Sequence, residues 1–296
     1  MANRMPSGLA GVRTKGLHAS YASRCRALLL DQRGTGRSTP VGPDKKAKAE
    51  KKLLGVGGRL EQLQEALYAE GVGGGDRSVL LVLQGMDTSG KGGTVRHVLG
   101  LVNPMGVHYA SFKKPTPAER RHHYLWRIRK KLPAPGHIGV FDRSHYEDIL
   151  VPRVEKLLTD DELSRRYTEI NEFEQELADN GTTVVKVFLH ISPEEQLRRL
   201  KARLLNPAKW WKYSPADLEA RGRWNDYQAA YLDVLRETST EVAPWFVVPA
   251  DRKWYRNWVV AELLTETLST MDPQFPKTDF DVDAELAKLK GVGVAE

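Results

Sequence analysis

At 296 residues and 41% hydrophobic content, the chain is long enough for one large α/β domain or two small ones. Lys and Arg number 45 against 38 Asp and Glu, a net charge of +7, and such a surplus favours a polyanionic partner: nucleic acid, anionic membrane or a phosphate-rich substrate. The single cysteine, Cys25, excludes an intrachain disulfide and a cysteine metal cluster, no apolar run could span a bilayer, and Met1 to Lys15 lacks the apolar core of a secretory signal, so the cytoplasm is the expected compartment.

Residues 1–54 differ from the rest and read as an N-terminal extension, expected to be poorly ordered. They end in the charge run from Asp44 to Lys52, a solvated linker or a helix start. Within them, Leu28 to Ser38 resembles a strand-loop segment of proline iminopeptidases of the α/β-hydrolase family. The nucleophile elbow G-x-S-x-G that a hydrolase needs is absent from the sequence.

Beyond Leu53 the pattern becomes regular. Leu60, Leu63, Leu67 and Tyr68 share one helical face. Val79 to Leu83 is apolar without alternation, as a strand buried on both faces should be. Similar runs occur at Val107–Phe112, Ile138–Phe141, Val184–Leu189 and Trp245–Val248. Between them, Thr116-Pro117-x-Glu119 and Ser192-Pro193-x-Glu195 have the form of helix-opening capping boxes. Leu163, Tyr167, Ile170, Phe173 and Leu177 predict a helix after Thr159 that stops at Asn180-Gly181. Alternating strands and helices predict a parallel sheet covered on both faces, with ligands at the carboxyl ends of its strands.

The first buried strand runs into Gly85-Met86-Asp87-Thr88-Ser89-Gly90-Lys91-Gly92-Gly93-Thr94, and Val95, Val98, Leu99 and Val102 continue at helical spacing. Strand, glycine loop and helix in that order form the context of a phosphate-binding P-loop. Gly85, Gly90 and Gly92 allow the backbone to curl its N–H groups inward, and Gly93 and Thr94 extend the cradle into the helix. Lys91 supplies a full positive charge. Gly92 stands where an ordinary P-loop carries the Ser or Thr that holds Mg²⁺. Asp87, unusually placed inside the loop, would repel phosphates unless a cation sat between them, so it is expected to hold metal or position an acceptor.

The strand Ile138–Phe141 ends in Asp142, the position of a second metal-holding carboxylate. Arg143 beside it can clamp a moving phosphoryl group, and Glu147 can bind metal, take a proton or hold the acceptor. His145 is expected to be structural, because an attacking phosphate oxygen is already ionised. Two basic tracts flank these motifs. Lys113, Lys114, Arg120 and Arg127, with Lys209, are expected to line a channel for a long polyanion. The segment of about residues 198–226 reads as a helical lid that closes arginines over phosphates and excludes water. Trp210, Trp211 and Tyr213 in that lid suit either base stacking or apolar packing beneath it.

Three segments, Gly85 to Gly93, Phe141 to Asp148 and Trp245 to Arg256, together resemble the polyphosphate kinase 2 family in order and spacing, over roughly residues 54–275. The resemblance implies an α/β/α P-loop kinase fold, thymidylate-kinase-like, with a helical lid. It implies Mg²⁺-dependent transfer between inorganic polyphosphate and nucleotides. The family's loop aspartate and lysine fall on Asp87 and Lys91, its second acidic strand end on Asp142 and Arg143, and its lid arginines on Arg203 and Arg221. The absent P-loop hydroxyl is a trait of that family, whereas Asp142 stands where close relatives often carry Asn. The Tyr146-Glu147-Asp148 version resembles members able to use AMP. Residues 276–296 then form a tail, and a homo-oligomer, dimer or tetramer, is expected, with neither membrane nor nucleic acid as partner. Two other readings remain at this level: a conventional ATP-dependent P-loop kinase, and a non-enzymatic polyanion binder.

Overall fold

The computed structural model describes residues 26–27 and 43–291. The segment from Leu28 to Ser38 and most of the expected N-terminal extension lie outside the described residues. Helix α1 (Pro43–Val72) already begins inside that extension, so the charge run up to Lys52 forms its first turns and the boundary at residue 54 falls within one continuous helix.

All pairings in the sheet are parallel, in the order β1-β6-β5-β2-β4-β3. The strands are β1 (Arg26–Ala27), β2 (Ser78–Gln84), β3 (Val107–Ser111), β4 (Ile138–Asp142), β5 (Thr182–His190) and β6 (Trp245–Pro249). β2 lies centrally and is buried along its whole length. Its apolar run lacks alternation because both faces are covered. Leu80 and Val82 enter one core, beneath α3 (Tyr124–Arg129), α4 (Glu147–Val154), α5 (Asp160–Asp179) and α8 (Trp224–Glu237). Val79, Leu81 and Leu83 enter the other, beneath α1, α2 (Lys91–Val98) and α9 (Lys253–Met271). Strand order reverses around β2, which opens a crevice at its carboxyl end.

The capping signals divide. A reciprocal box at α5 joins Thr159 and Glu162: the Glu162 amide donates to Thr159 Oγ1 at 3.2 Å and the Thr159 amide to Glu162 Oε2 at 2.8 Å. The Thr116–Glu119 box also forms, but it closes only a 3₁₀ turn of Glu119–Arg121, and the helix proper starts at Tyr124. Ser192 caps α6 (Pro193–Leu204), yet Glu195 turns away to Arg198 and Arg199, and Asp251 accepts from the Ser192 amide instead. The segment expected to form a lid comprises the end of α6, a 3₁₀ turn (Pro207–Lys212) and α7 (Pro215–Gly222). After α9 the described residues end in α10 (Val282–Gly291). No helix among the described residues is long and apolar enough to cross a membrane.

Candidate functional site

β2 and β4 are in register from Val79 and Ile138 to Leu83 and Asp142, so Asp142 lies beside the strand end that launches the glycine loop. The loop leaves β2 through Gly85 (φ 152°), passes Thr88 in the left-handed region (φ 68°) and enters α2 through Gly90 (φ 110°). The Ser89 amide turns back on Met86 O at 3.0 Å and the Thr94 amide on Gly90 O at 2.9 Å. The intervening amides of Gly90, Lys91, Gly92 and Gly93 stand at the first turn of α2, where a helix leaves its N–H groups for an anion. Thr94 departs from expectation: its hydroxyl folds back on Gly90 O at 3.3 Å instead of facing the cradle.

Asp87, Lys91, Asp142, Arg143 and Glu147, scattered over 61 positions in the numbering, act on one another electrostatically. Lys91 is buried and donates to Gly85 O at 2.7 Å. Burial and the neighbouring Arg143 push its pKa down, against the pull of Asp87, Asp142 and Glu147. Burial opposes ionisation of Asp87, but Lys91 and Arg143 outweigh it and hold the carboxyl below its usual range. Glu147 differs: there burial wins over Arg143 and Lys91, and its pKa rises. Arg143 donates to Asp87 Oδ1 at 2.7 Å, and Glu147 and Asp87 hold it charged despite its partial burial. The site thus sets two basic side chains beside one carboxyl shifted down, Asp87, and one shifted up, Glu147.

Asp87 and Asp142 offer hard oxygen donors, the type that Mg²⁺ accepts in ones and twos while keeping water and phosphate oxygens. Among the described residues, no group of three or more His, Cys, Asp or Glu forms a protein-only metal cage. Asp142 is lightly engaged, with Tyr109 OH at 3.4 Å. The hydroxyls of Thr88 and Ser89 are buried in the loop without a hydrogen-bond partner. These donors fit a divalent ion that is completed by phosphates.

The segment expected to be a lid reaches this centre through Arg203 and Gln196. Arg203 donates to Lys212 O at 2.9 Å and to Asp217 Oδ2 at 2.8 Å, and its charge helps keep Asp87 ionised. Arg221 donates to Pro193 O at 2.8 Å and Gln196 Oε1 at 3.0 Å, while Gln196 Nε2 reaches Asp87 O at 3.2 Å. Arg221 is therefore coupled to the loop through Gln196. Trp210 and Trp211 are 59% and 79% exposed, so their rings do not pack beneath the lid.

The expected channel separates into parts. Lys113, Lys114 and Arg120 are exposed beyond β3, and Lys209 is exposed on the lid, where its charge acts on Lys253. Arg127 lines a cavity with Arg120 but is tied back into the protein. It is 6% exposed, donates to Lys113 O and pairs with Asp148 at 2.8 Å, which makes it an internal strut. Asp148 is paired with Arg127, and its charge adds to the rise in the pKa of Glu147. Tyr146 is wholly buried, its hydroxyl donating to Glu174 at 2.8 Å, so Glu147 is the member of Tyr146-Glu147-Asp148 that shares the charge cluster of the loop. His145 is buried against Glu174, in keeping with a structural role.

Several residues at the site went unassigned in the sequence. Tyr227 and Tyr231 of α8 face Glu147 and Asp87, and burial with those carboxylates pushes both phenols up. Gln84, at the end of β2, touches Ser144 and Glu147. Arg199 and Arg256 reach the outer carbonyls of the loop. Arg199 carried a signal only as part of a basic helix, and Arg256 only as part of the third motif.

Comparison with known proteins fits this centre. The chain is 52% identical over 221 residues, covering 75% of its own length and 81% of the relative's, to the AMP/ADP-polyphosphate phosphotransferase of Meiothermus ruber. It is 43% identical over 244 residues, with coverage of 78% and 83%, to the ADP-polyphosphate phosphotransferase of Rhodopseudomonas palustris. A crystal structure of polyphosphate kinase 2 from Arthrobacter aurescens superimposes with a TM-score of 0.81 at 49% identity, over 88% of this chain and 92% of that one. The family model for polyphosphate kinase 2 matches residues 44–276, most of the described protein, and the chain belongs to that family.

Proposed function

We propose that this protein transfers phosphoryl groups between inorganic polyphosphate and nucleotides, with AMP and ADP as acceptors and Mg²⁺ as the metal. The observation that carries the reading is the convergence of Lys91 and Arg143 with Asp87, Asp142 and Glu147 at the mouth of a P-loop. The acceptor's terminal phosphate oxygen attacks the terminal phosphorus of the chain. A new P–O bond forms as the bridging P–O bond breaks, and the shortened polyphosphate leaves with the electron pair. Phosphate oxygens need no general base, which suits a site where His145 is buried elsewhere. The glycine loop cradles the donor, Lys91 and Arg143 offset charge developing on the transferred group, and Arg203 and Arg221 bring the lid over it. Mg²⁺ held by Asp87 and Asp142 would neutralise phosphate charge. Glu147 is assigned to the acceptor side, and Lys113, Lys114, Arg120 and Lys209 to the longer chain. A cytoplasmic location belongs to the same proposal, because nucleotide acceptors are plentiful there. Leu286 and Leu289, exposed on α10, are consistent with a dimer or tetramer, which light scattering would measure.

The test is a coupled assay with Mg²⁺, long-chain polyphosphate and either AMP or ADP, with Lys91→Ala as control. ADP or ATP formed by wild type and lost in the variant is the expected result. Failure of polyphosphate as donor, with ATP serving in its place, would sink the reading.

A further inference from the structure

Arg256 is 2% exposed beneath the P-loop. Its Nη1 donates to Ser89 O at 3.2 Å, and its Nε and Nη2 donate to Asn257 Oδ1 at 3.1 and 2.8 Å. A Cβ on Gly90 would lie 1.7 Å from Nη1, and one on Gly93 2.9 Å from Nη2. Both glycines therefore make room for this guanidinium, in addition to the left-handed turn that Gly90 supplies.

Beyond these neutral acceptors, burial and a neighbouring cation both disfavour its charge. Arg199 lies alongside, donating to Thr88 O at 2.8 Å and to Ser89 O at 3.0 Å. Arg199 is paired with Glu195, whereas among the described residues Arg256 has no ion pair. Arg256 in turn adds to the positive field on Lys253, with Arg198, Arg199 and Lys209. Burial and Arg199 push Arg256 down to about 10, low for a guanidinium yet still charged at neutral pH. A buried, unpaired charge is costly to a fold, and an apolar side chain in its place avoids that cost. Its retention calls for a compensating anion that the protein itself does not supply.

The geometry shows where that anion would be. In a trans peptide the C=O and N–H point in opposite directions. Two guanidiniums hold the Ser89 carbonyl outward, so the Gly90 N–H is turned into the cradle. We infer that Arg256 is a positioning residue whose counter-charge is the phosphate chain itself: it fixes the Ser89–Gly90 peptide from behind and holds the empty loop in its anion-binding form. This rests on the proposed use of polyphosphate, and assigns the third sequence motif a part in binding the donor.

The test compares wild type, Arg256→Met and Arg256→Lys, with inorganic tripolyphosphate as the probe and no nucleotide present. In Arg256→Met, Ser89 O keeps its bond from Arg199. The ligand-free melting temperature should stay level or rise, while the upward shift given by tripolyphosphate should fall to less than half that of wild type. In turnover, KM for polyphosphate should rise about tenfold or more, KM for the nucleotide should stay within about twofold, and Arg256→Lys should recover part of the loss. An Arg256→Met protein that melts lower or fails to fold, with an undiminished tripolyphosphate shift in Arg256→Lys, would overturn the inference. So would an equal rise in both KM values. No shift in the wild type itself would instead remove the polyphosphate reading on which this rests.

Discussion

Arg143 and Asp87 meet at 2.7 Å across the mouth of the P-loop, and Arg143 does so from a left-handed backbone conformation (φ 65°) immediately after β4. A non-glycine residue there costs about 1–2 kcal/mol. The pair is partly open to solvent, 35% and 27% exposed, so its ion pairing contributes little to the fold. Strain retained for a weak bond points to use in the reaction. Arg143→Ala is expected to lower kcat by about 10²–10³ by removing a charge donor to the transferred group. Arg143→Gly should be as inactive but more stable than Arg143→Ala by about 1 kcal/mol, since glycine tolerates the turn. Urea midpoints and turnover on the two variants check both halves.

Glu147 responds to pH in the opposite sense to Asp87. Burial raises its pKa, so the folded protein holds the proton more tightly than the unfolded chain. Its contribution to stability is then greatest below the ordinary carboxyl range and is lost as pH rises toward the folded value. At neutral pH the ionised group weakens the fold. Glu147→Gln should therefore raise Tm at about pH 7, and the gain should vanish near pH 4. Transfer to AMP should fall at the same time. An equal gain at both pH values would show that packing, not charge, is responsible.

The central strands and the glycine loop were legible because local pattern and tertiary role coincide. Val79 to Leu83 is apolar throughout because both faces are buried, and Gly85, Gly90 and Lys91 interrupt it in the order a phosphate cradle needs. Asp142 followed from its place at the end of a second buried strand. The opposite holds for Arg199 and Arg256. They touch Ser89 from 110 and 167 residues away, and nothing near them in sequence shows where a guanidinium will point. The pairing of Arg127 with Asp148 was hidden for the same reason, the two being 21 residues apart. The Thr116 box was a correct local reading with the wrong consequence, since the chain turns again after Arg121.

The heaviest cost to stability should come from the buried group behind α4. Lys186 donates to Glu174, to Tyr146 OH at 3.0 Å and to Thr238 O at 2.6 Å, and both charges are fully buried. Burial alone would raise the pKa of Glu174, yet Lys186 and His145 hold it low. Its stabilising contribution is present above the ordinary carboxyl pKa and is lost as pH falls through the depressed value. Lys186→Met leaves Glu174 charged and buried, and should destabilise by about 3–5 kcal/mol near neutral pH. Adding Glu174→Leu should recover part of this, because removing both charges costs less than removing one. Urea denaturation of the single and double variants measures the difference; a double variant weaker than the single would show that the bonds Glu174 shares with Tyr146 and His145 outweigh the cost of its unpaired charge.

Gln84 links the floor of the P-loop to the first residue of α4. It is fully buried. With the amide oriented to satisfy both neighbours, Nε2 donates to Glu147 Oε1 at 3.1 Å and Oε1 accepts from Ser144 N and Oγ at 3.1 Å each. Gln84→Met keeps the length of the side chain and removes all three bonds. The stranded Ser144 N–H should cost about 1–3 kcal/mol. Glu147 would lose a donor that favours its ionised form, so its pKa should climb further. The expected kinetic effect is a several-fold rise in KM for the nucleotide with a smaller change in KM for polyphosphate, because Glu147 is assigned to the acceptor. Gln84→Glu should be the worse variant at neutral pH, with two carboxyls in contact, and the gap should narrow as pH falls and one takes a proton. If Gln84→Met lowered stability but moved neither KM, the orientation of Glu147 would depend on α4 and the buried Tyr146 alone.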